Sequence, residues 1–143
     1  MKTKFKKVLI TVKTTQSFEE EVEDVELVTE GRFATMDGFY LGEYDESEIS
    51  GMKGTKTSIK IYNDSVTLIR AGSTNSNLVF KLGGDHISLY GTKHGAFEVI
   101  VKTKKISINI DETGGVIDLD YIIETQGVNV SNNKLKLTIK EVS

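Results

Sequence analysis

KKISINIDE, residues 104–112, sets Ile106, Ile108 and Ile110 on one side of an extended chain and Ser107, Asn109 and Asp111 on the other. Alternation with period two is what a β-strand needs when one face meets a core and the other meets water. NKLKLTIKEV (133–142) repeats the pattern, with Leu135, Leu137 and Ile139 against Lys134, Lys136, Thr138 and Lys140. TKTSIKIYN (55–63) aligns Thr57, Ile59 and Ile61 opposite Lys56, Ser58 and Lys60. Val8–Val12, Val25–Phe33, Phe39–Tyr44, Val66–Arg70, Asn77–Leu82, Ile87–Tyr90, Phe97–Thr103 and Val116–Ile123 read the same way. The chain is nearly all strand.

Between these segments stand short turn signals. Asp37-Gly38, Asn63-Asp64, Gly83-Gly84 and Gly114-Gly115 supply residues that tolerate positive φ, so successive strands pair as antiparallel hairpins. About ten strands spaced near 8–12 residues indicate a sandwich or barrel. A meander with one apolar face removes its exposed edges most simply by closing on itself. The expectation is an all-β, antiparallel up-and-down barrel of about 8–10 strands, one domain over residues 1–143. Its predicted core includes Val66, Leu68, Phe80, Leu89, Phe97, Val99, Ile108, Leu119, Leu135 and Leu137. SFEEEVEDVELV (17–28) fits the scheme least well. Ser17 with Glu20 has the spacing of a capping box, so Ser17–Val25 reads either as a short helix or as an acidic loop entering a strand. The run Glu19–Glu21 reads as a solvated connection.

Composition narrows the function. The 143 residues contain no cysteine and two histidines, which removes disulfides and thiolate sites and leaves few ligands for zinc. Neither a metal nor another cofactor is expected. With 18 basic and 21 acidic residues the net charge is −3, so no global basic field draws nucleic acid. The basic start followed by Val8-Leu9-Ile10 is interrupted at Thr11 and Lys13, short of the roughly 7–15 apolar residues of a signal peptide. No stretch approaches the ~20 apolar residues of a membrane span. A cytoplasmic protein without membrane contact is the expectation; oligomeric state is not legible.

Three stretches carry a resemblance: YDESEISGMKGTKTSIKIYNDSVTLIRAG (44–72), LVFKLGGDHISLYGTKHGAFEVIVKT (78–103) and GGVIDLDYIIET (114–125). Tyr44, Glu46, Gly54, Thr55, Thr57, Ile59, Ile61, Val66, Leu68, Arg70, Gly72, Phe80, Tyr90, Thr92, Gly95, Asp120 and Tyr121 form the matching pattern. The chain thereby resembles the YwiB-like family, small bacterial proteins of unknown function with a calycin-like (lipocalin-like) β-barrel. The resemblance implies a lipocalin-like barrel in a cytosolic context and no established activity. The chain has no tryptophan, so the Gly-x-Trp element of true lipocalins is missing.

The segment richest in reactive side chains is HISLYGTKHGAFEVIVKT (86–103). In a hairpin turning between Gly91 and Gly95, His94 sits at the tip and His86 opens the incoming strand, too far apart to share a metal. His94 reads as a turn residue and His86, beside Asp85, as a solvated one. GTKHG lacks the ending of a P-loop and a following helix. Asp118 and Asp120 lie opposite Ile117, Leu119 and Tyr121 and read as a solvent face. No nucleophile–base–orienter set can be assembled, so the residues lean away from an enzyme.

Arg70 stands out. Alternation from Val66 and Leu68 carries it inward, where a guanidinium needs a partner. One reading pairs it with Glu43 or Glu46, or lets it reach solvent at the barrel end. The sharper reading makes it the anchor of a ligand site lined by Tyr44, Phe80, Tyr90 and Phe97, because guanidinium binds carboxylate or phosphate bidentately. Tyr121 could join that lining. The first functional expectation is therefore a barrel that binds a small amphipathic or anionic molecule. The alternative is a protein-interaction or regulatory module with a filled barrel, using an exterior such as the basic face of Lys134, Lys136 and Lys140. A small hydrolase or isomerase in the lumen comes third.

Overall fold

The computed structural model describes residues 4–47, 52–92, 95–125 and 128–142. Every regular element is a strand: β1 (Lys6–Phe18), β2 (Glu21–Thr35), β3 (Tyr40–Asp45), β4 (Thr55–Ile61), β5 (Ser65–Gly72), β6 (Ser76–Lys81), β7 (His86–Thr92), β8 (Gly95–Asp111), β9 (Gly114–Thr125) and β10 (Val128–Glu141). Each pairs antiparallel with its neighbours in sequence, and β1 closes the barrel on β10 through Val8↔Glu141 to Ser17↔Asn132. The expected up-and-down barrel is the one observed. Among the described residues no helix is long and apolar enough to cross a membrane.

The hairpin turns divide the barrel into two ends. Residues 36–39, 62–64, 82–85 and 112–113 turn at the lower end; residues 19–20 and 73–75 turn at the upper. Ser17–Val25 forms neither helix nor loop. β1 runs on to Phe18, reverses at Glu19-Glu20 and re-enters as β2, with Ser17 opposite Val22. Pairing of thirteen residues along β1 overrides a capping signal that would nucleate only a turn or two. Glu19 takes φ +56°, a left-handed conformation that its Cβ makes costly.

Inward residues fill the interior. Val8, Ile10, Leu27, Phe33, Ile59, Ile61, Val66, Leu68, Leu78, Phe80, Val99, Val101, Ile117, Leu119, Leu135, Leu137 and Ile139 are all buried. Each large apolar side chain buried in this way contributes roughly 1.5–3 kcal/mol. Ile108 is half-buried and packs against this cluster. Two predicted core residues are not there. Leu89 points outward and is exposed, and Phe97 is 51% exposed at the upper rim.

The register of β7 on β8 explains Leu89. Paired residues share a face, and Ser88↔Val99 and His86↔Val101 place Ser88 and His86 on the inner side with the two buried valines. Ile87 and Leu89 must then face out, against their hydrophobicity. Ser88 is accommodated because its Oγ accepts the Val79 N–H at 3.2 Å. That side-chain bond bridges a thin seam, since Asn77↔Leu89 is the one ladder pair between β6 and β7 among the described residues.

The KKISINIDE alternation belongs to the same strand as the preceding Phe97–Thr103. A bulge between Thr103 and Lys105 inserts one residue into β8, so inward parity passes from Val99, Val101 and Thr103 to Ile106, Ile108 and Ile110. At the following turn, Gly115 has φ +144°, and a Cβ there would lie 1.9 Å from the Asn109 carbonyl oxygen. Only glycine lets β9 start this close to β8.

Candidate functional site

Polarity inside the barrel changes along its axis. On β4 Thr55 and Thr57 precede Ile59 and Ile61, and on β6 Ser76 precedes Leu78 and Phe80. On β10 Ser131 and Asn133 precede Leu135, Leu137 and Ile139, while on β5 Val66 and Leu68 precede Arg70. Because neighbouring strands run in opposite directions, all these polar residues gather toward the upper end. On these four strands the inward residues of the lower part are all apolar.

Arg70 lies in this polar layer, on the same face of β5 as Val66 and Leu68, with 18% of its side chain accessible. Of the two carboxylates considered as partners, Glu46 is the one beside it: Arg70 Nε lies 3.9 Å from Glu46 Oε2, and the Glu46 side chain is 1% exposed. Glu43 instead meets Lys56 at 3.0 Å and Arg32 at 3.6 Å. Thr57 Oγ1 donates to Glu46 Oε2 at 3.1 Å, and Tyr44 lies beside both residues. The contact with Glu46 is too long for a hydrogen bond, and Arg70 Nε is buried without a hydrogen-bond partner.

Two tyrosines register this environment. Burial, reinforced by the Glu46 charge and opposed by Arg70, pushes the Tyr44 phenol well above its ordinary range. Burial likewise raises Tyr121 to about 12, again with Arg70 opposing. The Tyr121 ring packs on Phe80 at a centroid separation of 4.6 Å. A phenol at neutral pH is therefore a neutral hydrogen-bonding group here, not a base.

The residues expected to form one ligand site divide between two places. Arg70, Tyr44 and Phe80 line an enclosed cavity of about 20 Å³, together with Ile59, Leu68 and Leu119. Tyr90 and Phe97 line a separate recess of about 290 Å³ at the upper mouth, with Gln16, Val99, Ile123 and Ser131. The inner cavity has room for about one water molecule.

The remaining candidates are dispersed. His94 lies outside the described residues. His86 is half-buried rather than solvated, and its Nε2 is buried without a hydrogen-bond partner, as is Thr103 Oγ1. Both stand on the inner face, His86 through its pairing with Val101 and Thr103 through alternation from Val99 and Val101. Asp118 is exposed and Asp120 half-exposed on the outer face of β9, close to Lys105, Lys134 and Lys136 across a shallow exterior concavity. Lys134, Lys136 and Lys140 are exposed along β10. No group of three or more His, Asp or Glu able to hold a metal occurs among the described residues.

Residues 10–137 match the family described as Domain of unknown function (DUF1934). The chain belongs to the DUF1934 family. One relative is an uncharacterized beta-barrel protein, YwiB of Bacillus subtilis (strain 168), 30% identical over 82 residues. That alignment spans 57% of this chain and 56% of the relative. The crystal structure of the B. subtilis ywiB protein superposes with a TM-score of 0.85 at 22% identity, over 99% of this chain and 96% of that one. The superposition shows that the closed barrel is shared. The relatives carry no assigned activity, so the functional reading of this DUF1934 barrel rests on its own residues.

Proposed function

We propose that this barrel binds a compact oxyanion, a carboxylate or phosphate, at its upper end with Arg70 as the anchor. One observation carries the reading: a guanidinium with about four-fifths of its side chain buried lies 3.9 Å from Glu46, and among the described residues its Nε has no hydrogen-bond partner. A largely buried guanidinium whose Nε is unengaged favours an oxyanion, which the planar fork can bind bidentately. Tyr44 and the mouth residues Tyr90 and Phe97 supply the surrounding polar and apolar wall. The inner cavity of about 20 Å³ is too small for the oxyanion itself, so the ligand approaches Arg70 from the upper mouth and any apolar portion occupies the mouth recess rather than the core. The exposed, charged outer residues of β10 support a barrel surrounded by water rather than lipid.

The test is a calorimetric titration with inorganic phosphate and with straight-chain carboxylates of increasing length. Wild type binds saturably, and affinity rises with chain length until the mouth recess of about 290 Å³ is filled and then levels off. Arg70→Lys keeps the charge without the planar fork and binds about 10- to 100-fold more weakly, the equivalent of one lost charge-assisted hydrogen bond. Equal affinity in the two proteins, or no saturable binding by wild type, rejects the reading. A second reading, an interaction module with a filled barrel, is favoured by the same small interior volume and predicts that no titrant raises the thermal midpoint.

A further inference from the structure

The pairing of β7 with β8 stops at His86↔Val101. Beyond it β8 continues to Asp111, bonded to β9 on one side only. From Lys105 to Asp111 its other edge has no strand partner among the described residues. Ile108 and Ile110 there line an open groove of about 320 Å³, across from Tyr40, Ile61 and Tyr62. An unpaired edge with alternating isoleucines is a template for another strand.

The sequence of this edge says which strand. Read as KISINID, it is complementary to its own reverse about Ile108. Antiparallel pairing on a twofold axis through that residue sets Lys105 opposite Asp111, Ile106 opposite Ile110, Ser107 opposite Asn109 and Ile108 opposite its own copy. The outer face then holds opposite charges and a pair of small polar residues, and the inner face holds isoleucine only. Such cross-strand pairs are the favourable ones. Lysines alone would blunt an edge against pairing; a lysine answered by an aspartate at the mirror position selects for one partner. Lys105 and Asp111 are both exposed, and Asp111 keeps one carboxylate oxygen, Oδ1, engaged with the Thr113 turn.

We propose that two copies of this chain pair through the β8 edges Lys105–Asp111, forming a twofold dimer in which two barrels share a continuous sheet. The inference is independent of the oxyanion site, which lies at the other end of the barrel. A twofold interface requires a self-complementary patch, and this one is.

Sedimentation velocity across the micromolar to millimolar range reads the association directly, and wild type is expected to dimerise. Lys105→Glu turns two attractive pairs per dimer into repulsions and weakens association about tenfold or more, while Lys105→Arg leaves it unchanged. Because the chain has no cysteine, Ile108→Cys puts its sole thiols face to face on the axis, within disulfide reach. It cross-links under mild oxidation, and Lys56→Cys, exposed on β4, does not. A wild type that stays monomeric throughout overturns the proposal. So does a dimer that is indifferent to Lys105→Glu and in which Ile108→Cys links no faster than Lys56→Cys, since that dimer uses another surface.

Discussion

Arg70→Met removes the guanidinium while keeping most of its length. The change removes the attraction of the Arg70 cation from Glu46, whose side chain is 1% exposed beside Thr57. At the observed 3.9 Å and an effective dielectric of about 20, the lost attraction is about 4 kcal/mol. Part is offset, because methionine has no desolvation cost and Arg70 retains some solvent contact. The expected destabilisation is therefore about 2–4 kcal/mol, near the lower end of what stranding one member of a buried pair costs. A fold of ordinary stability, roughly 5–15 kcal/mol, survives this. Adding Glu46→Gln removes the second charge and keeps a group able to accept from Thr57. The double variant should return to within about 1 kcal/mol of wild type, as buried pairs replaced together often do. Urea unfolding followed by circular dichroism at neutral pH, completed as a double-mutant cycle, gives both numbers. If Arg70→Met lies within about 0.5 kcal/mol of wild type, or the double variant is no more stable than that single one, the two groups are not coupled as described.

Alkaline titration tests the buried phenols. Tyr121 has its folded pKa raised to about 12, so the stability it contributes is full below the unfolded value near 10 and is lost as pH rises from about 10 to 12. Tyr44 shifts in the same direction, so absorbance at the phenolate band should show these two rings ionising only as the barrel unfolds; their early, reversible ionisation would contradict the burial. Phe80→Ala deletes a fully buried ring that packs on Tyr121 and should cost about 3–5 kcal/mol in the same urea assay. Glu19→Gly relieves the left-handed strain of the β1–β2 turn and should raise stability by about 0.5–1 kcal/mol, whereas a loss would show that the glutamate side chain holds the turn. Gly115→Ala forces a Cβ against the Asn109 carbonyl and should destabilise by at least about 2 kcal/mol, read as a lower thermal midpoint.

Strands and closure were legible because most inward positions are apolar and most outward ones polar: Ile106, Ile108 and Ile110, or Leu135, Leu137 and Ile139, announce their face. β7 was misleading because a strand's face is dictated by its neighbour's register as well as by its own residues. Val99 and Val101 are buried, and the register pairs Ser88 and His86 with them, so Ser88 follows them inward. Phe97 keeps the parity of Val99 but sits at the rim, and parity alone does not say where a strand leaves the core. The position of Arg70 followed from alternation, and Glu46 was among its candidate partners. The division between inner cavity and mouth did not follow, because it depends on how side chains from β3, β5, β6 and β9 stack in three dimensions. One available signal went unused: polar inward residues fall at the same end of β4, β5, β6 and β10.

The thin β6–β7 seam has a kinetic consequence. A barrel is edgeless only while every junction holds, and this one relies on Asn77↔Leu89 and the Ser88 side chain where other junctions have whole ladders. Opening should begin there, so the amides flanking the seam exchange with solvent at lower free energy than those of β1, β9 or β10. The chain crosses the seam through Leu82–Asp85, which includes Gly83 and Gly84 at positive φ. Once parted, the barrel becomes one open sheet, still continuous through the β1–β10 ladder, with β6 and β7 as its two free edges. At high concentration these freed edges can pair with those of another opened molecule, making edge-to-edge pairing between chains the characteristic misassembly of this fold.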